Sequence, residues 1–411
     1  MASRLLLLNP YPILKPRNGG QMRAASLMQA ACLAGWDVET IAIYPAAFFP
    51  RAEWGRLDIV LESAALRAQV HADMLFADLL VARAAANDTN VVRKLSEAIA
   101  RFSPEVIQIE QPWPWLVLKE ALALNGRECR LVYSSQNIEW KARPALFDHG
   151  MKTVASEQLL AETRVLEEEV AQAADLTFSI SDIEAKEIER GCGRPVVYLP
   201  AVSDLTAPSA ATRRPRFAAE AREAHCVYAA LIGSAYWPNV EGFFDVFPDG
   251  LGFLAPGEQI WVAGSLGDAI KRDRRFQEFL SINETRFRDV GYLSESEKAD
   301  FFAAAECAIA PVHIGAGAKL KTADAIASGR PVVATPHAVE GYGPIIGGAL
   351  GAGVYVAEAP KAFQRFVRKS LRKGLVGCEP RIRQLLSLTA MSSAWAESVN
   401  ALASKAPAAK K

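Results

Sequence analysis

The chain has 411 residues, of which 51% are hydrophobic and 22% charged, with a formal net charge of zero; this is the composition of a folded protein long enough for two domains. Balanced charge supplies no global field to gather nucleic acid, so no nucleic-acid partner is expected. No run reaches the roughly 20 apolar residues that cross a bilayer, and the six cysteines are scattered without metal-ligand spacing, which fits a reducing cytoplasm.

The N-terminal half alternates short apolar runs with longer amphipathic stretches, the pattern of a doubly wound parallel α/β sheet. Strands are predicted at residues 4–9, 38–43, 106–109, 131–134, 176–180 and 196–199. Leu5-Leu6-Leu7-Leu8 belongs to the first, because Asn9-Pro10-Tyr11-Pro12 ends the run too early for a signal peptide. Gly19 and Gly20 then open a helix predicted to run to about Ala34, with Gly35 beyond its end. Paired glycines at a helix N-terminus suit close approach to phosphate, although a plain flexible turn has the same signature.

Aromatic residues follow two of these strands: Phe48, Phe49 and Trp54 after the second, Trp113 and Trp115 after Glu110-Gln111-Pro112. Such rings stack on the apolar faces of sugars or simply pack a loop on a helix. Gln136, Asn137 and Glu139 follow the 131–134 strand as acceptor-side candidates, with helix capping as the competing role for Glu139. The helix predicted over 157–174 carries Glu167-Glu168-Glu169, read as a solvated face, and Ser181 caps the next helix.

Composition shifts to Ala, Thr, Pro and Arg between Ser203 and Ala224, the mark of a linker. The predicted organisation is a first domain over 1–204, a linker over 205–224, a second domain over 225–384, a helix over 385–402 and a frayed tail over 403–411. In the second domain strands are predicted at residues 226–233, 260–263, 288–290, 307–311, 332–334 and 354–356. Gly233-Ser234, Gly264 and Gly291-Tyr292-Leu293 sit at the ends of three of them, where parallel sheets bind ligands.

After the 307–311 strand come Gly315, Ala316 and Gly317, then Lys319, Lys321, Thr322 and Asp324 in a helix entry, and Gly329 before Pro331-Val332-Val333-Ala334-Thr335. Small residues at a helix N-terminus let backbone N–H groups meet an anion, two lysines neutralise a diphosphate, and a carboxylate one turn on receives sugar hydroxyls. The turn Glu340-Gly341-Tyr342-Gly343 follows, in which Gly341 offers a backbone donor. Residues 361–383 hold eight basic side chains and one acidic one, Glu379, with Phe363, Phe366, Val367 and Leu371 at helical spacing; such a helix either rests on anionic lipid or packs its stripe on the sheet.

The run from Lys321 to Thr335 resembles the donor-binding segment of retaining GT-B glycosyltransferases, the bacterial family often called group 1 or family 4. Lys321, Ala325, Ala327, Gly329, Pro331, Val332, Val333, Ala334 and Thr335 carry the match. Gly233-Ser234 with Trp237-Pro238-Asn239 is similar to the start of the nucleotide domain in a subgroup of that family. The sequence departs from the pattern where Asp324 stands for the family's ribose-binding Glu, where Ala316 stands for an acidic residue that meets the donor sugar, and where Gln136 stands for a His.

The resemblance implies two Rossmann-like domains facing across a cleft, with the C-terminal helix crossing back to the first. It implies sugar transfer from a nucleotide-sugar to a saccharide or lipid-linked saccharide, with retention of anomeric configuration and no metal or other cofactor. Lys319, Lys321 and Asp324 take the catalytic roles. Donor contacts then fall to Gly19, Gly20, Gly233, Ser234, Gly264, Gly291, Tyr292, Leu293, Gly315, Ala316, Gly317, Thr322, Glu340 and Gly341, and acceptor contacts to Trp113, Trp115, Gln136, Asn137 and Glu139. The expected setting is the cytoplasm, at the inner face of the membrane where the basic helix meets lipid. Two alternatives stay open: another GT-B enzyme, such as an epimerase or phosphorylase, and a nucleotide-sugar-binding partner without activity. A dehydrogenase is disfavoured, because no Gly-x-Gly-x-x-Gly follows a strand with an acidic residue about 20 positions on.

Overall fold

A computed structural model describes residues 2–144, 147, 152–203, 205, 216–315, 319–347 and 353–403. The expected continuous apolar runs are strands, and every pairing between them is parallel. The chain divides into one unit of Met1–Pro200 with Leu388–Lys411 and another of Ala201–Ser387.

The first unit holds β1 (Arg4–Asn9), β2 (Asp37–Pro45), β3 (Ile59–Leu61), β4 (Val106–Glu110), β5 (Arg130–Ser135), β6 (Leu176–Ser179) and β7 (Val196–Tyr198) in the order β3-β2-β1-β4-β5-β6-β7. Leu5 to Leu8 are wholly buried because helices cover both faces, which is why β1 reads as an unbroken apolar run instead of an alternation. The strand order reverses between β1 and β4. In the helix Gly19–Leu33, the Asn18 side chain accepts from the Gln21 N–H while Gln21 reaches back to the Asn18 N–H. The helix Leu388–Ala403 packs on it: Trp395 meets Trp36 edge to face at 5.4 Å, and Ser392 donates to the Ala30 carbonyl at 2.7 Å.

The second unit holds β8 (Val227–Ile232), β9 (Glu258–Ala263), β10 (Phe287–Gly291), β11 (Cys307–Ala310), β12 (Val332–Ala334) and β13 (Val354–Val356) in the order β10-β9-β8-β11-β12-β13. Here the order reverses between β8 and β11. Both sheets therefore have a topological switch point, the place where open parallel sheets receive ligands beyond their carboxyl ends.

Several expectations are corrected. Strand β3 was not foreseen; three residues carry too little pattern to stand out, and its place is set by pairing with β2. Within the expected linker, Arg216–Glu223 is a helix held by Phe217, which is fully buried against Trp261 and Phe301. Glu167, expected in solvent, is buried and accepts from the Glu139 and Trp140 N–H groups at 2.9 Å each, capping the short helix Glu139–Ala142. In the helix Pro360–Leu371 the stripe of Phe363, Val367 and Leu371 is spent on the core, leaving its basic face outward.

Candidate functional site

In the second unit the site is built at the β8/β11 switch point. Gly233, just past β8, and Gly264, just past β9, approach so closely that a Cβ on Gly264 would lie 2.2 Å from the Gly233 carbonyl oxygen, and Gly264 has φ of +85°. The Gly264 N–H donates to the Gly291 carbonyl at 2.7 Å, which ties the ends of β9 and β10 together. The predicted loop glycines thus form one rim. Tyr292, beyond it, is 82% exposed, Leu293 is half-buried, and Ser234 is exposed.

Facing this rim is the helix Leu320–Ala327, with Lys319 immediately before it. The Lys321 ammonium donates to the Asn239 side-chain oxygen, and Asn239 donates in turn to the Ser234 carbonyl at 2.9 Å and to its hydroxyl at 3.3 Å. The Trp237-Pro238-Asn239 stretch, 82 residues earlier, is therefore what positions Lys321. Burial and the neighbouring Lys319 push the Lys321 pKa down to about 8. An ammonium desolvated in this way gains more from an arriving polyanion than one in water.

Lys319 lies 3.8 Å from the Glu340 carboxylate, which also meets His337 Nδ1 at 2.6 Å, while His337 Nε2 is 2.5 Å from the Gly315 carbonyl. Burial and Lys319 lower the His337 pKa. The Tyr342 hydroxyl donates to the Lys319 carbonyl at 2.9 Å, and Gly341 has φ of +87°. Thr322 is fully buried and its hydroxyl donates to the Ala338 carbonyl at 2.8 Å. Ala316 and Gly317 lie outside the described residues.

Asp324 is turned towards Lys298, whose ammonium lies 3.5 Å away and also pairs with Glu295 at 2.9 Å. Burial raises the Asp324 pKa, against the pull of Lys298 and a hydrogen bond with Ser203. No local spacing marks Lys298: it belongs to another helix, Glu295–Ala304, and only the fold brings it to the motif.

In the first unit, Gly20 packs against Tyr11 and Gln136, and a Cβ there would lie 2.5 Å from the Tyr11 hydroxyl oxygen. The Gln136 amide donates to Tyr11 at 3.0 Å, to the Gly20 carbonyl at 3.4 Å and to Glu110 at 3.1 Å. Glu110 also accepts from Gln108 at 2.8 Å, and Gln108 accepts from the Trp395 indole at 2.8 Å. Burial raises the Glu110 pKa. Gly19 is the first residue of its helix. Tyr11 and Glu110 were not singled out from the sequence; the one signal was a carboxylate closing a buried strand.

Asn137 donates to Glu139 at 3.1 Å, and Glu139 pairs with Arg143 at 3.0 Å. The two tryptophans diverge. Trp115 donates to Glu169 on the helix Ser156–Ala173 at 3.0 Å, whereas Trp113 is 1% exposed beneath the Arg143 guanidinium, 4.9 Å from its ring centre. Among the described residues no group of three or more His, Cys, Asp or Glu is placed to hold a metal ion, and no helix is long and apolar enough to cross a membrane.

Residues 229–373 match the family described as Glycosyl transferases group 1. No curated protein matches the chain. Among solved structures, sucrose-phosphate synthase from Thermosynechococcus elongatus is 14% identical with a TM-score of 0.66, over 97% of this chain and 99% of that one. Anabaena HepE in complex with UDP is 12% identical with a TM-score of 0.64, over 97% and 100%. The lipopolysaccharide outer core galactosyltransferase WaaB is 12% identical with a TM-score of 0.60, over 97% and 99%. The shared fold is GT-B.

Proposed function

We propose, from the premise that residues 229–373 form a group 1 glycosyltransferase domain and that the chain is thereby a glycosyltransferase, that it moves a sugar from a nucleoside diphosphate sugar to a saccharide or lipid-linked saccharide. The observation that carries the reading is the convergence at the β8/β11 switch point of the Lys321 ammonium, the Lys319 helix entry and the Gly233-Ser234 turn that Asn239 joins to Lys321. Two ammonium groups beside a helix N-terminus fit a diphosphate. The HepE structures with UDP and with UDP-glucose support the same ligand class.

As the anomeric bond breaks, negative charge collects on the departing diphosphate. Lys319, Lys321 and the helix N-terminus stabilise that charge without reorganising, the kind of contribution that usually dominates catalysis. Two ammonium groups supply the charge that a divalent cation would otherwise provide, so the reaction is expected to run without metal; retention is what the resemblance to the retaining GT-B family implies. Glu340, already beside Lys319 and His337, is placed to orient them and to meet a donor hydroxyl. The likeness to WaaB supports a role in bacterial surface glycoconjugate synthesis. The exposed Lys361, Arg365 and Lys369 of the helix Pro360–Leu371, with Arg372 just past its end, suit contact with an anionic membrane face.

A second reading, a nucleotide-sugar-binding partner without activity, is favoured by one observation, the engagement of Asp324 by Lys298. Incubation with UDP-glucose, followed by proton NMR of the anomeric signal, separates the two. Turnover with the donor's configuration kept in the product supports the enzyme; tight binding with no release of sugar supports the binding partner.

A further inference from the structure

The second unit carries a groove of about 510 Å³ along the helix Pro360–Leu371, a size within the range of small-molecule sites. Lys361, Arg365, Arg368 and Lys369 line it from the helix, and Arg372 lines it from just past the helix end. Spacings of three and four put these side chains on one face, while Phe363, Val367 and Leu371 take another and are buried in the core. Gln364 fixes the helix against its neighbour Trp237–Val246 by donating to the Val246 carbonyl at 2.9 Å.

The charge in the groove is one-sided. Arg372 is met by Glu258 at 3.0 Å. Lys361, Arg365, Arg368 and Lys369 form no ion pair among the described residues, and the Arg368 Nε is buried without a hydrogen-bond partner. A guanidinium nitrogen left unmet in this way carries a cost that an arriving anionic oxygen removes. The helix dipole accounts for Arg368 and Lys369, which lie in the last turn. It does not account for Lys361, the second residue, where a cation sits at the positive end.

The four unpaired cations are spread over about 12 Å of the helix axis, a length that a chain of phosphates matches better than a single group. Helices that lie on a bilayer sink apolar side chains into it, and this helix exposes no large one. The groove is also remote from the donor site. Glu258, the partner of Arg372, opens β9, whereas Gly264 follows the far end of that strand, about 20 Å away.

We propose that this groove binds a small soluble anion carrying two or more phosphate groups, at a second ligand site independent of the donor site. Arg365 and Arg368 grip phosphate oxygens through their planar forks, and Lys361 and Lys369 add point charges towards either end.

Lysine footprinting tests it, because it reads each position separately. The full chain is acetylated with N-hydroxysuccinimidyl acetate in 150 mM salt, and the rate at each lysine is followed by mass spectrometry. Saturating tripolyphosphate should slow Lys361 and Lys369 about fivefold or more, and leave Lys94, an exposed lysine of the first unit, unchanged. UDP should leave Lys361 and Lys369 unchanged. In Arg365→Glu the protection should disappear; Arg365→Gln serves if that variant lacks a cooperative thermal transition. No slowing at Lys361 and Lys369, equal slowing at Lys94, or protection that persists in the folded variant overturns the site. So does equal protection by inorganic phosphate at the same concentration. Protection by phosphatidylglycerol–phosphatidylcholine vesicles but not by tripolyphosphate overturns it in favour of plain membrane contact.

Discussion

Lys298 and Asp324 form an ion pair at 3.5 Å in which both side chains are largely closed to water, 10% and 16% exposed. The carboxylate at the position the motif gives to ribose binding is thus already partnered. Removing one member of such a pair strands the other, at a cost of about 3–5 kcal/mol. Lys298→Ala should therefore lower the unfolding free energy by that order in urea denaturation. Adding Asp324→Asn should restore part of the loss. A single variant as stable as the wild type contradicts the pairing.

The lowered pKa of Lys321, about 8, makes donor binding depend on pH. A diphosphate favours the protonated amine, so binding takes up a proton wherever free Lys321 is neutral. UDP affinity should hold steady below pH 8 and then weaken about tenfold per pH unit above it. In Lys321→Ala that decline should vanish. Titration calorimetry from pH 6.5 to 9.5 reads both, and a flat wild-type profile contradicts the assignment.

Glu167 is the reverse case. Burial first, then Glu139, push its pKa from the ordinary 4.5 up to about 8. Folding then binds a proton, so the stabilisation is complete below pH 4.5 and fades as the pH rises through 8. Glu167→Gln cannot ionise, although it also gives up one of the two backbone N–H contacts. The wild-type melting temperature should fall relative to the variant's between pH 5 and 8. Parallel curves contradict a buried neutral carboxyl.

Gly264→Ala tests the rim. A Cβ there meets the Gly233 carbonyl oxygen at 2.2 Å in a backbone of φ +85°, and left-handed backbone alone costs a non-glycine residue about 1–2 kcal/mol. Thermal denaturation should show a loss above about 2 kcal/mol. A neutral change contradicts the close approach.

The strands were the legible part of the fold. Buried parallel strands such as β1 and β11 are continuous apolar runs, and a run of that kind can be read without knowing its neighbours. The short edge strand β3 and the Phe217 helix were not legible, because what fixes them is contact with distant residues. In the same way, three successive glutamates do not say which one turns inward; only the free N–H groups of the Glu139–Ala142 helix select Glu167. At the site, the lysines and glycines were visible as a local motif. The contacts of Lys321 with Asn239 and of Asp324 with Lys298 join separate elements, so no spacing announces them.

Lys319 and Lys321 are assigned to hold a nucleoside diphosphate. The direct measurement is the thermal shift given by a panel of nucleoside diphosphates and their sugars on the wild type and on Lys321→Ala. A ligand at 100 times its Kd stabilises the folded state by about 2.7 kcal/mol, which shows as a rise of a few degrees. The wild type should show such a rise with one nucleotide class and its sugars, and Lys321→Ala should lose it. No rise with any nucleotide, or an equal rise in the variant, would contradict it.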